Sequence, residues 1–186
     1  MKIVKKNLNL QEALTKEWII TNGLGGYASS TIIGANTRKY HGLLIAPLDP
    51  PAKRILMLSK LDESIKIGNT EYPFYTNICK DHISEGYKFQ EEFRKDFIPI
   101  FTYKIQDIVI KKLICMEYRR NTVCIMYKIE GGSKKAKLHL APIMNFRDFH
   151  SMNTNHIFSI KQEVNEQKVK VVIDDNRTNP YLYESI

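Results

Sequence analysis

The segment Asn36-Thr37-Arg38-Lys39-Tyr40-His41-Gly42 offers an amide, a hydroxyl, a guanidinium, an aromatic ring and an imidazole in one short stretch. It lies between two apolar stretches, where a plain connection needs only turn residues. Such a set suits a sugar, because planar polar groups hold hydroxyl pairs and a ring packs on a pyranose face. The same residues also read as structural groups pinning a long loop. A second cluster is Arg147-Asp148-Phe149-His150. Alternate residues of an extended chain share a face, which pairs Asp148 with His150 and sets Arg147 and Phe149 opposite. An Asp–His pair is part of a hydrolytic dyad, but no motif marks a Ser or Cys nucleophile to complete it.

Glycoside hydrolysis needs two carboxylates across a sugar bond. Glu17, Asp62, Glu63 and Asp148 are candidates, and nothing in their spacing brings any two together. No catalytic residue is therefore assigned. His41, His82, His139, His150 and His156 lack metal-ligand spacing, so no metal is expected. Gly23-Leu24-Gly25-Gly26 would need a following helix to cradle a phosphate. Tyr27 to Ile33 instead is β-branched and strand-like. The glycines read as a turn that lets backbone approach something closely, and no cofactor is expected.

The elements that must position these groups are mostly strands. A short helix is expected near Leu10 to Leu14, capped by Asn9 with Glu12 three residues on. Beyond it the pattern has period two, broken by frequent turns. Strands are expected at Trp18–Thr21, Tyr27–Ile33, His41–Leu48, Ile55–Ile67 and Thr70–Tyr75, and around Tyr87–Phe93. Further strands follow at Ile98–Ile105, Ile108–Met116, Val123–Ile129 and Lys137–Met144. A hairpin about Asn165-Glu166 joins Ile157–Val164 to Val169–Ile173. Asp174 to Pro180 reads as a turn, and Tyr181-Leu182-Tyr183 as the start of another strand. Ten to twelve short strands with little helix predict an all-β fold of packed antiparallel sheets in one domain, 1–186.

With 43% hydrophobic residues the chain can build a core, and no apolar run is long enough for a transmembrane helix. The basic start, Met1 to Lys6, lacks a following apolar core, so neither a signal peptide nor a membrane partner is expected, and a cytoplasmic location is. Cys79, Cys115 and Cys124 lack C-x-x-C spacing and read as small buried hydrophobes. The net charge of +8 raises the question of nucleic acid. The lysines are scattered, though, and Lys104, Lys111, Lys112, Lys128 and Lys161 read as solvent faces of strands, so no nucleic-acid partner is expected.

Glu17 to Thr31, containing Asn22-Gly23-Leu24-Gly25-Gly26-Tyr27, is similar to the opening signature of bacterial and archaeal type glycogen debranching enzymes. Thr37 to Ala46 continues it at the expected distance. Leu61-Asp62-Glu63, the Phe93 to Tyr103 stretch with Pro99, and Arg147 to Ser151 also resemble their counterparts. The resemblance implies a large, supersandwich-like N-terminal β-sandwich. In the family a helical (α/α)6 toroid follows, carrying the carboxylates of amylo-α-1,6-glucosidase chemistry. It further implies that this chain lacks the toroid, stops before the N-terminal domain ends, and is inactive alone. The implied partners are an α-glucan (glycogen or limit dextrin) and a toroid in cis or trans, with a dimer forming through an uncovered docking face. Asn36, Thr37, Arg38, Tyr40, His41, Arg147, Asp148 and His150 are expected on the substrate or interdomain side, Tyr40 as a stacking ring. Should the chain act as an autonomous glucan-binding module, Tyr27, Tyr40, Tyr72, Phe74 and Tyr75 are the aromatics available for a platform.

Overall fold

The computed structural model describes residues 1–4, 9–152, 159–174 and 181–185. The chain forms two compact units, Met1–His150 and Ser151–Ile186. The first is built from β1 (Lys2–Val4), α1 (Leu10–Thr15), β2 (Glu17–Thr21), β3 (Tyr27–Thr31), β4 (Gly42–Asp49) and β5 (Ala52–Ile67). Then come β6 (Thr70–Pro73), β7 (Thr76–Cys79), β8 (His82–Glu85), a 3₁₀ turn over Gly86–Phe89 and β9 (Gln90–Lys95). It closes with β10 (Pro99–Ile105), β11 (Ile108–Met116), β12 (Val123–Gly131) and β13 (Ala136–Asp148). The second unit holds β14 (Ser159–Asn165), β15 (Lys168–Asp174) and β16 (Tyr181–Ser185), an antiparallel meander in that order.

One sheet of the first unit runs β1-β9-β10-β11-β12, and the other runs β13-β5-β4-β3-β2 with β6 also on β5. Every pairing in both is antiparallel. In β11, Ile108, Ile110, Lys112 and Ile114 are buried and the residues between them are half-exposed, the alternation of a strand with one face on a core. Phe101, packed with Phe93 and Tyr103 of its own sheet, meets Trp18 of the other. The Trp18 and Phe101 rings lie edge to face at 6.2 Å, and the Trp18 indole donates to the Thr31 carbonyl at 3.1 Å. Each such buried ring contributes about 1.5–3 kcal/mol of transfer free energy. The all-β sandwich expected from the pattern is what the chain forms.

The departures from the sequence reading have local causes. Tyr87 to Phe89 form the 3₁₀ turn because Gly86 packs against the Phe74–Tyr75 backbone, where a Cβ would lie 2.2 Å from Phe74 C. β1, β7 and β8 are three or four residues long, too short to register as periods. In α1 the Asn9 carboxamide accepts from Gln11 N at 2.9 Å, and Glu12 pairs with Lys16 along the helix. Lys112 faces the core, 7% exposed, and binds Glu63. The cysteines are not buried: Cys79 and Cys124 are exposed and Cys115 is half-buried, on a small hairpin and an outward sheet face. Residues 157–158, at the expected start of the Ile157 strand, and the 175–180 part of the turn fall outside the described residues, as does His156.

Candidate functional site

Asn22 organises the glycine loop. Fully buried at the end of β2, it accepts from Leu24 N and Gly26 N, both at 2.9 Å, through one side-chain oxygen. Its amide nitrogen donates to the Arg120 carbonyl at 2.9 Å and to the Asn121 side chain at 3.1 Å. Gly23 and Gly25 hold φ of +78° and +94°, a region that costs other residues strain. At Gly26 a Cβ would stand 2.6 Å from the Asn22 amide and 2.9 Å from Pro47. The loop is thus a tight turn with close backbone approach.

The Asn36–Gly42 segment divides into an inward and an outward half. Asn36 accepts from the Ser30 hydroxyl at 2.8 Å and donates to the Ser59 carbonyl at 3.0 Å, tying β3 to β5. Thr37 N donates to His41 Nδ1 at 3.0 Å. His41 is 3% exposed, and its Nε2 lies 3.4 Å from a Glu17 oxygen that also takes Arg38 Nε at 2.6 Å. An accepting Nδ1 leaves the proton of the neutral ring on Nε2, toward Glu17. Burial holds the imidazole below its ordinary value of 6.5, with the Glu17 carboxylate pulling the other way. Arg38 is exposed beyond its contact with Glu17.

Lys39 and Tyr40 turn outward and meet the second cluster, brought from more than a hundred residues away. Lys39 Nζ donates to the His150 carbonyl at 2.7 Å, and the Tyr40 hydroxyl lies 3.2 Å from His150 Nδ1. The Tyr40 ring is 5.7 Å from both the Phe149 and His150 rings, and Tyr27 OH donates to the Tyr40 carbonyl at 3.0 Å. Arg147 clamps the junction: its guanidinium donates to the Lys39 carbonyl and, at 3.2 Å each, to those of Asp148 and Phe149. Arg147 is 8% exposed, and burial lowers its pKa from the ordinary value while Tyr27 and Asp148 oppose that. Arg54 donates to the Gly25 carbonyl at 2.7 Å and lies 5.2 Å from the Phe149 ring centre.

The expected Asp148–His150 pairing takes another form. Asp148 Oδ1 accepts from the His150 backbone N at 2.8 Å, closing a turn, while the His150 ring faces Tyr40. Strand alternation does not reach His150 because β13 ends at Asp148 and the chain turns there. His41 and His150 do not share partners: one is buried against Thr37 and Glu17, the other exposed beside Tyr40. The platform aromatics scatter as well. Phe74 is buried against Tyr103 at 5.1 Å, Tyr72 packs on Phe89 at 6.3 Å, and Tyr75 lies beside Lys60. Lys39, Arg54 and Phe149 were not singled out. Phe149 was legible as the apolar member of its cluster, and nothing local marks Arg54.

The four candidate carboxylates sit in separate places. Glu17 holds Arg38, Asp62 pairs with Lys60 at 3.0 Å, Glu63 binds Lys112 and Tyr127, and Asp148 closes its turn. Lys60, Glu63, Thr76 and Lys112 line a cleft between the sheets of about 20 Å³, room for one water. Among the described residues no group of three His, Cys, Asp or Glu side chains could hold a metal ion. No helix among them is long and apolar enough to cross a membrane.

The family model for the glycogen debranching enzyme N terminal matches residues 16–185. The chain belongs to this family. Comparison with curated proteins and with solved structures returns no match. The debranching enzyme N-terminal match starts beside Glu17 and takes in the glycine loop, both halves of the Asn36–Gly42 segment and the Arg147–His150 cluster. Of the segments that carried the resemblance, Glu17 to Thr31, Thr37 to Ala46 and Arg147 to Ser151 contribute to the loop hub and the outward cluster, and all of them lie within the match.

Proposed function

We propose that this chain is the non-catalytic N-terminal module of a glycogen debranching enzyme, supporting α-glucan binding and packing against a helical catalytic toroid. The observation that carries the glucan reading is the junction of Lys39, Tyr40, Phe149 and His150, held from below by Arg147. A partly exposed ring flanked by an imidazole, an ammonium and a guanidinium offers a stacking surface and hydrogen-bond donors at its rim. Asn36, Thr37 and His41 shape this face from beneath, Arg38 lies beside it, and Asp148 fixes the turn that presents His150. The partner is a branched α-glucan such as glycogen or limit dextrin, and the setting is the cytoplasm. The chemistry belongs to the toroid.

Affinity electrophoresis in gels containing glycogen tests the face. The chain is expected to be retarded, and Tyr40→Ala to restore most of the free mobility. Migration of the unmodified chain unchanged by glycogen rejects the reading. Glucose release from limit dextrin by the chain alone would reject the non-catalytic assignment.

A further inference from the structure

Cys115 and Cys124 stand directly opposite each other in the β11–β12 ladder. Glu117 N donates to the Thr122 carbonyl at 3.1 Å, which makes that pair a hydrogen-bonded one. Two residues along, Cys115 and Cys124 fall at the next hydrogen-bonded pair, where Cα atoms are about 5.5 Å apart. Disulfides span Cα separations of about 4.4–6.8 Å. Opposed residues leave a sheet on one face, and Ile114 points to the core at 1% exposure, so both thiols lie on the outward face. Cys124 is exposed and Cys115 is half-buried. β12 ends its sheet, so no further strand of that sheet covers Cys124. Cys79, also exposed, faces His82 across its hairpin and has no opposed thiol.

We propose that Cys115 and Cys124 form a cross-strand dithiol that closes to a disulfide by exchange with a low-molecular-weight disulfide. The Cys124 thiolate attacks one sulfur of the oxidant, forming a mixed disulfide and releasing one small thiolate, which takes up a proton. Cys115 then loses its proton to solvent and attacks the Cys124 sulfur, expelling the second small thiol. The protein loses two protons and two electrons, and the oxidant, taking up both, becomes two small thiols. Cys124 attacks first because it is the accessible thiol. Burial and the neighbouring Cys124 push the Cys115 thiol up, which lowers its thiolate fraction and leaves the first attack to Cys124, while the second step is helped by the opposed thiol being held in the same ladder.

The test uses the full folded chain carrying Cys79→Ser, incubated in native buffer with glutathione disulfide, alkylated and digested with trypsin. The expected product is Leu113–Arg119 joined to Asn121–Lys128, about 2 Da lighter than the two thiol peptides together. With Cys115→Ser added, Cys124 is expected to retain a glutathione adduct. Two alkylated cysteines, or a persistent adduct on Cys124 in the chain that keeps Cys115, overturns the proposal.

Discussion

At the residue scale, Asn22 and His41 show how polar groups hold this site without touching a ligand. Asn22 is fully buried and engages both the glycine loop and the Arg120–Asn121 turn. Asn22→Ala removes these bonds and strands backbone donors, so a loss of about 2–3 kcal/mol is expected in urea unfolding. An effect below half of that would show that water replaces the amide. His41 carries a pH signature. Its folded pKa lies below the unfolded 6.5, so the unfolded chain binds the extra proton. Its contribution to stability is complete above the unfolded value and is lost as pH falls below it. Unfolding free energy of the unmodified chain should decline from about pH 7 to pH 5, and His41→Gln should flatten that slope. Parallel curves for the two proteins would place the titration elsewhere.

At the element scale, the two sheets are joined by a polar tie within an apolar interface. Glu63 on β5 accepts from Lys112 on β11 and from the Tyr127 hydroxyl on β12, the latter at 2.8 Å. Both charged side chains are under 10% exposed. Removing one partner leaves the other charge buried and uncompensated, so Lys112→Met is expected to cost about 3–5 kcal/mol. Adding Glu63→Leu should recover most of that loss, because an apolar pair needs no compensation. A double-mutant cycle by denaturant unfolding decides it, and additive losses would mean that the two side chains act independently.

At the scale of the whole molecule, β1 and β12 end one sheet of the first unit and β2 and β13 the other. Along β12 and β13, Met126, Ile129, Leu140 and Ile143 are 37–44% exposed. Apolar edge strands invite pairing, and Pro142 lies within β13, the strand at that edge. The toroid proposed as partner would cover such a surface. In its absence the chain is expected to self-associate with rising concentration in sedimentation velocity, and Met126→Lys with Ile143→Lys should return it to monomer. A monomer at every concentration would show that these edges are self-sufficient.

The sequence by itself determined the class of fold and the family. Period-two alternation follows from the strand geometry of each residue, and Ile108–Met116 could be bounded to the residue because both ends are marked by turns. The glycine loop was legible because only glycine adopts its φ values freely. What only the tertiary structure decided was which polar residues face outward. Alternation puts Lys111 and Lys112 on opposite faces of β11, but both faces carry apolar residues. Only the partner sheet shows that Lys112 is the buried one, paired with Glu63, while Lys111 lies half-exposed beside Glu130. His41 and Tyr40 are neighbours in one motif, yet one is buried and the other supports the outward face. The meeting of Lys39 and Tyr40 with His150 depends on the long-range tertiary pairing that places the end of β13 beside this loop, which no short window of sequence contains.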